Sequence, residues 1–468
     1  MGTLSIVISL ALLMYLAYRG ISVLLLAPLL ALFAVLMAGD AAMLLPTYTQ
    51  VFMAAMGGYI VQFFPLFLLG ALFGKLMDDS GSARAIAQGI VDKVGPDRAV
   101  LAIVLACALL TYGGVSLFVV AFAVYPIGVA LFRQAGIPKR LLPASIALGA
   151  FTFTMTALPG TPAIQNAIPA PFFGTDAFAA PGLGVIAGLI MFGLGTWWLS
   201  GKAKKLMAAG EGYGDHKDEK KSTEPASALE NQRPVGFWLA VLPILVVIGI
   251  NFLMAKQVLP NVDTSYLAQP EFGGLKDAAS LIGIWSIIAA LVTAIMLLVL
   301  MHWRRWTDLK TTVNDGAFGS MLPILNTATE VGYGTVIASL AGFVVIRDLV
   351  LGVAPGNPLI SEAVAVNVLA GITGSASGGM SIALKALGAD YLAMANAAGI
   401  SPELLHRVAT MASGCMDTLP HNGAVISLLA ICKLSHRQSY GFIAMNTVVF
   451  PLLALAVVIT LGTLFGSF

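Results

Sequence analysis

The sequence predicts an all-α polytopic membrane protein made of two inverted repeats, each with a re-entrant helical hairpin and a broken transmembrane helix. Three observations lead there. Of 468 residues, 58% are hydrophobic and only 10% are charged, against roughly 25% charged in an ordinary soluble domain. Apolar runs of helical length recur along the whole chain; since about 20 apolar residues cross a hydrocarbon core about 30 Å thick, the length suffices for roughly ten or more spans. Matching motifs also recur at a near-constant offset between the two halves.

The apolar runs occupy 3–18, 21–39, 46–77, 98–111, 141–168, 183–200, 234–255, 278–301, 318–346, 360–374, 403–432 and 440–467. The first positive residue, Arg19, follows an apolar run, so the amino terminus lacks the basic region of a cleaved signal peptide and reads as a retained helix. Residues 201–234 carry 7 Lys/Arg and 6 Asp/Glu and read as a solvated cytoplasmic linker between a first repeat, 1–200, and a second, 235–468. In the first repeat TYGGVS (111–116) precedes AGIPKRLLP (135–143) and ALPG (157–160). In the second, ASGGMS (376–381) precedes AGISPELLH (398–406) and TLPH (418–421). The pairs Gly114 and Gly379, Gly136 and Gly399, and Pro159 and Pro420 lie 265, 263 and 261 residues apart, the mark of an internal repeat as transporters use.

Charge orients the repeats, because cytoplasmic loops are enriched in Lys and Arg. With the segments near 19, 75–98, 133–140, 201–234, 302–310 and 433–437 inside, 20 of the 25 Lys/Arg are cytoplasmic. The exceptions are Lys256, Lys276, Arg347, Lys385 and Arg407, while Asp40, Asp176, Asp263, Glu271, Glu362 and Glu403 fall on or near the outside. The first AGI loop is then cytoplasmic and the second external. This expectation makes the repeats inverted and both termini periplasmic, in a bacterial cytoplasmic membrane.

The hairpins are expected at about 112–134 and 375–397, interrupted by Pro126 and Gly128 or by Gly388 and Asp390. The broken helices are expected at about 141–168 and 403–432, each with a Leu-Pro in mid-span, where proline removes a backbone donor and clashes with the preceding turn. Irregular backbone at membrane depth is tolerated only where protein or a water-filled cavity supplies partners. The tips therefore offer Gly113, Gly114 and Ser116, and Ser375, Ser377, Gly378, Gly379 and Ser381. The breaks offer Thr154, Thr156, Thr161, Gln165 and Asn166, and Asp417, Thr418, His421 and Asn422. A half-helix amino terminus suits a carboxylate, and unwound carbonyls suit a cation, so the expected ligand is a small anion bearing hydroxyls. Each Ser or Thr taken singly also fits simple helix packing. Asp417, His421 and Glu330 are the candidates to carry a coupling proton, since an ionisable group in the bilayer costs roughly 2.5 to 3.5 kcal/mol. Lys385 either attracts the anion or snorkels to the interface.

Other chemistries are excluded. GALFGK (70–75) has the wrong glycine spacing and no Ser/Thr after Lys75, so it is no P-loop. There is no HExxH and no GxSxG. Cys107, Cys415 and Cys432 show no metal or disulfide spacing and read as small buried hydrophobes. Neither cofactor nor metal nor nucleic acid is expected.

The stretches ATEVGYGTVI (328–337), GSASGGMSIAL (374–384) and MDTLPHNGAVISLL (416–429) resemble the gluconate permease (gluconate:proton symporter) family of the ion transporter superfamily. The resemblance implies the inverted-repeat fold, a homodimer, elevator-type motion, and secondary uptake of small carboxylates with a cation, usually a proton. FTFTMTALPGTPAIQNAIP (151–169) is less like a sugar-acid site and leans toward a smaller substrate. The expectation is proton-coupled symport of a small hydroxycarboxylate or monocarboxylate such as gluconate or 3-hydroxybutyrate. The alternatives are a sodium-coupled di- or tricarboxylate transporter, disfavoured by the scarcity of cationic side chains, and a membrane-embedded enzyme using Asp417 and His421.

Overall fold

The computed structural model describes residues 2–214, 234–272, 278–354 and 356–468, and all regular secondary structure among them is helical. Helices α1 (Gly2–Tyr18) and α2 (Val23–Met37) form a pair, with Ser22 capping α2. A π-helical turn, Thr47–Phe52, leads into α3 (Met53–Asp79), which is followed by α4 (Ser82–Val94) and α5 (Ala99–Tyr112). Next come α6 (Leu117–Gln134), α7 (Leu142–Ala150) and α8 (Pro181–Ala208).

The second half opens with α9 (Phe237–Leu253), α10 (Ala279–Met301), α11 (Leu309–Gly319), α12 (Met321–Ser339) and α13 (Phe343–Leu351). It continues through α14 (Pro358–Thr373), α15 (Ala376–Ala397), α16 (Pro402–Ser413) and α17 (Gly423–Ile431) to α18 (His436–Ala444) and α19 (Phe450–Phe465).

Among the described residues five helical stretches are long and apolar enough to cross a membrane: Ala41–Asp79, Pro181–Ala208, Phe237–Asn261, Ala279–Met301 and His436–Phe465. Two further helix pairs reach that length and apolarity only together and are sharply bent, Ser82–Val94 with Pro96–Tyr112 at 103° and Leu309–Ser339 with Phe343–Leu351 at 97°. The run 318–346 is thus not straight. It turns at Leu340–Gly342, where Gly342 lies against the backbone of Gly2 and its carbonyl accepts the Thr3 hydroxyl at 3.0 Å.

Both broken helices are present as breaks. After α7 the chain makes single turns at Phe153–Thr156, Ile164–Ala167 and Ala170–Phe173, with 157–163 unwound around Pro159 and Pro162. Between α16 and α17, residues 414–422 are non-helical around Pro420.

The expected interruptions inside 112–134 and 375–397 are corrected: α6 runs through Pro126 and Gly128, and α15 through Gly388 and Asp390. Packing explains this. A Cβ on Gly128 would press into Leu142 at 2.7 Å, so that glycine serves a close helix contact rather than a turn. Asp390 is held by Arg347, which donates from Nε at 2.9 Å and from Nη2 at 2.6 Å. The hairpin arms are therefore α5 with α6 and α14 with α15, about tips at Gly113–Ser116 and Gly374–Ser375. The linker boundary also shifts, since α8 continues to Ala208; residues 215–233 lie outside the described residues.

The main core links the two halves. A smaller cluster packs α1 and α2 on α12, where the Ser9 hydroxyl donates to Leu30 O at 2.8 Å and lies 3.0 Å from Tyr333 OH.

Candidate functional site

The second tip starts where α14 stops. Gly374 takes φ 64°, a left-handed conformation that glycine adopts without cost, and Ser375 caps α15 by accepting from Gly378 N at 3.1 Å. Gly378 has no Cβ because Glu330 of α12 occupies that space; Gly379 lies against the backbone of Ala370. Ser377 and Thr327 hydroxyls are 3.3 Å apart. Glu330 is only 4% exposed, and its Oε2 has no hydrogen-bond partner.

The second break closes on this tip. Asn422 Nδ2 donates to Gly374 O at 2.7 Å, while its Oδ1 caps α17 by accepting from Ala424 N at 2.6 Å and Val425 N at 3.0 Å. The His421 ring abuts Gly374, and its Nε2 has no partner. Asp417 is 6% exposed with Oδ1 unpartnered. Thr418 instead donates to Thr447 Oγ1 at 2.7 Å, so its hydroxyl proton is engaged away from the tip.

The first tip and first break meet in the same way. Gly114, at φ 92°, lies against Pro162, and Gly113 against Ile244. Tyr112 OH donates to Pro159 O at 2.7 Å. Ser116 and Gln165 are half-buried. Thr154 and Thr156 donate to Gly149 O at 2.9 Å and Thr152 O at 3.1 Å, and Thr161 accepts from Ala163 N at 3.3 Å. These three hydroxyls are engaged with local backbone. Asn166 Nδ2 donates to Thr161 O at 3.1 Å and Ala177 O at 2.9 Å.

Two charged residues expected outside are buried. Arg407 of α16 is fully enclosed: Nε and Nη2 donate to Ala179 O at 3.0 and 2.6 Å, and Nη1 donates to Asn166 Oδ1 at 3.1 Å. It thereby ties the second-half helix to the first break, a union repeated where Gly414 abuts Thr156. Glu362 of α14 is also fully buried, with neither carboxylate oxygen partnered. In the sequence Arg407 is one of the five basic residues away from the cytoplasmic segments, and Glu362 falls on or near the outside. Only the tertiary fold encloses them.

The sequence profile of the GntP permease family matches residues 1–425. The chain belongs to the GntP family of permeases. A Bacillus subtilis (strain 168) protein, described as the uncharacterized transporter YxjC, is 49% identical over 451 residues, 94% of each chain. An uncharacterized transporter of Haemophilus influenzae is 31% identical over 210 residues, 45% of each. Among solved structures, Neisseria gonorrhoeae MtrF, described with a class of antimetabolite efflux pumps, matches with a TM-score of 0.55 at 12% identity. That match covers 91% of this chain and 85% of MtrF, and it is a likeness of fold.

This GntP permease is thus a multi-pass membrane transporter rather than an enzyme. Its second tip, second break and Glu330 bring together two capped helix amino termini and two buried acids that each have one oxygen without a partner among the described residues. Its first tip and break contribute mainly satisfied hydroxyls.

Proposed function

We propose that this permease is a secondary active symporter that carries a small hydroxycarboxylate or monocarboxylate, such as gluconate or 3-hydroxybutyrate, with a proton; sodium is the alternative coupling ion. One observation carries the reading: Glu330 at the second tip and Asp417 in the second break are buried carboxyl groups, each with an oxygen that no described donor satisfies. A buried ionised carboxylate without partners is costly, so such groups favour the protonated form when enclosed and release the proton when opened to water. The amino termini of α15 and α17, capped by Ser375 at Gly378 N and by Asn422 at Ala424 N and Val425 N, turn their positive dipole ends toward this region, which suits electron-rich groups of a substrate. His421 would complete the relay. The buried Arg407 does not revive the tricarboxylate alternative, because its donors are spent on Ala179 O and the Asn166 amide.

In this reading the tips and breaks move together as an elevator against a scaffold in a homodimer. The halves are inverted and both termini periplasmic in the cytoplasmic membrane, as the Lys/Arg distribution supports. The test is uptake of labelled 3-hydroxybutyrate and gluconate into proteoliposomes under an imposed pH gradient. Accumulation should collapse with a protonophore, and counterflow should return the compound chemically intact. Accumulation that persists under protonophore and requires sodium refutes proton coupling.

A further inference from the structure

We propose that a cavity between α3, α12 and α15 holds the carboxylate of the transported substrate, with Lys385 as its cation and the Tyr59 and Ser381 hydroxyls as its donors. The proposal rests on the carboxylate-transport reading above and names three anchoring groups for it.

The cavity measures about 260 Å³, and its lining includes Tyr59, Gln62, Phe63, Phe172, Ser381 and Lys385. Tyr59 is 5% exposed and Ser381 2%; their hydroxyls neighbour each other, and neither has a well-formed hydrogen bond to another described group. A buried hydroxyl short of partners is destabilising, so this pair at the wall of one cavity calls for a polar occupant. Lys385 follows Ser381 by four residues on α15, which places both on the same helix face. The only acid on α15, Asp390, is committed to Arg347 by two hydrogen bonds, leaving it no part in neutralising Lys385.

The dimensions select the ligand. The volume falls below the roughly 300–1,000 Å³ of pockets for drug-sized ligands, which suits a short carbon chain. One ammonium matches one carboxylate, and Phe63 with Phe172 supplies apolar wall for the carbon body. Gln62, at the exposed rim, can reach a substrate hydroxyl. Val331 in its lining follows Glu330, the candidate coupling group, on α12.

The experiment is initial-rate uptake of labelled 3-hydroxybutyrate by the full chain in proteoliposomes. Lys385→Met should raise KM by at least about tenfold, whereas Lys385→Arg should keep most of the affinity. Tyr59→Phe and Ser381→Ala should each raise KM several-fold. The charge itself is tested with Lys385→Cys: aminoethyl methanethiosulfonate restores an ammonium there and should lower KM again, while the neutral methyl reagent should not. The native cysteines are buried and offer the reagent no competing target. An unchanged KM in Lys385→Met, or equal rescue by both reagents, overturns the subsite alone. If Lys385→Met does not fold, an unchanged KM in the near-isosteric Tyr59→Phe does the same. A wild-type chain that takes up neither 3-hydroxybutyrate nor gluconate overturns the transport reading and this subsite with it.

Discussion

Replacing Gly378 by alanine puts a methyl group where the Glu330 carboxylate lies. Gly378 is the third residue of α15, and a Cβ built there overlaps Glu330 Oε2 and comes within 3.0 Å of Ser375 Oγ. Glu330 is buried, so either the carboxylate withdraws or the helices part, and overpacking of this kind costs about 1–3 kcal/mol. Alanine in a helix recovers up to about 1 kcal/mol over glycine, leaving a net destabilisation of about 0–3 kcal/mol. In a Glu330→Ala background the obstacle is gone and only the propensity gain remains. Gly378→Ala should then stabilise by up to about 1 kcal/mol. The coupling energy between the two sites is the overpacking cost, about 1–3 kcal/mol, because the void left by Glu330→Ala occurs in both arms of the cycle and cancels. Melting temperatures of the four purified proteins in one detergent read the sign. Equal loss from Gly378→Ala in both backgrounds would mean that Glu330 does not fill that space, and the placement of the carboxylate would be refuted.

Other substitutions probe the two breaks. Arg407→Met orphans Ala179 O and leaves the Asn166 amide oxygen only His406 Nε2 at 3.4 Å; at about 1–3 kcal/mol per buried group left unpaired, thermal stability should fall by at least about 1–3 kcal/mol, read as a lowered melting temperature and loss of the monodisperse peak on gel filtration. Asp417→Asn should abolish proton-driven accumulation while sparing exchange, and full accumulation by that variant removes Asp417 from the coupling role. Asn422→Ala removes the cap of α17, costing about 0.5–2 kcal/mol, and also frees Gly374 O; Asn422→Asp keeps the cap, so it should restore stability without restoring the tie to the tip. Cys107, Cys415 and Cys432 are all buried, so maleimide should label the folded chain only after denaturation.

The breaks and tips were legible in the sequence because their causes are local. Gly374 supplies a positive φ, Ser375 and Asn422 supply caps, and Pro159 and Pro420 deny the helix a donor. The course of the hairpin arms was not legible. Pro126 and Gly128 are helix breakers by propensity, yet α6 stays continuous because close packing on Leu142 uses the missing Cβ. Arg407 escaped notice for a related reason. Its acceptors, Ala179 O and Thr156 O, lie 228 and 251 residues away in the chain, in the irregular stretch between α7 and α8. Glu362 likewise sits just inside α14, where the charge map places it on or near the outside, and the fold leaves it enclosed.

Arg407 changes more than a residue count. By holding the carbonyls of the first break from α16, and with Gly414 seated on Thr156, it makes the two breaks one mechanical body. Asn422 extends that body to the second tip through Gly374. Glu330 belongs to α12, outside this body, but its carboxylate is lodged against Gly378 at the tip. Any displacement of the tips and breaks along α12 therefore pulls Gly378 away from Glu330 and replaces an enclosed acid with one open to new partners. A shift of that kind alters the cost of ionising Glu330, which is how movement of the substrate domain becomes coupled to a proton under the proposed reading. Under the proposed reading Asp417 would move with the breaks and Glu330 would not, so the two acids would play different parts: one would travel with the substrate, and the other would register where the substrate domain stands.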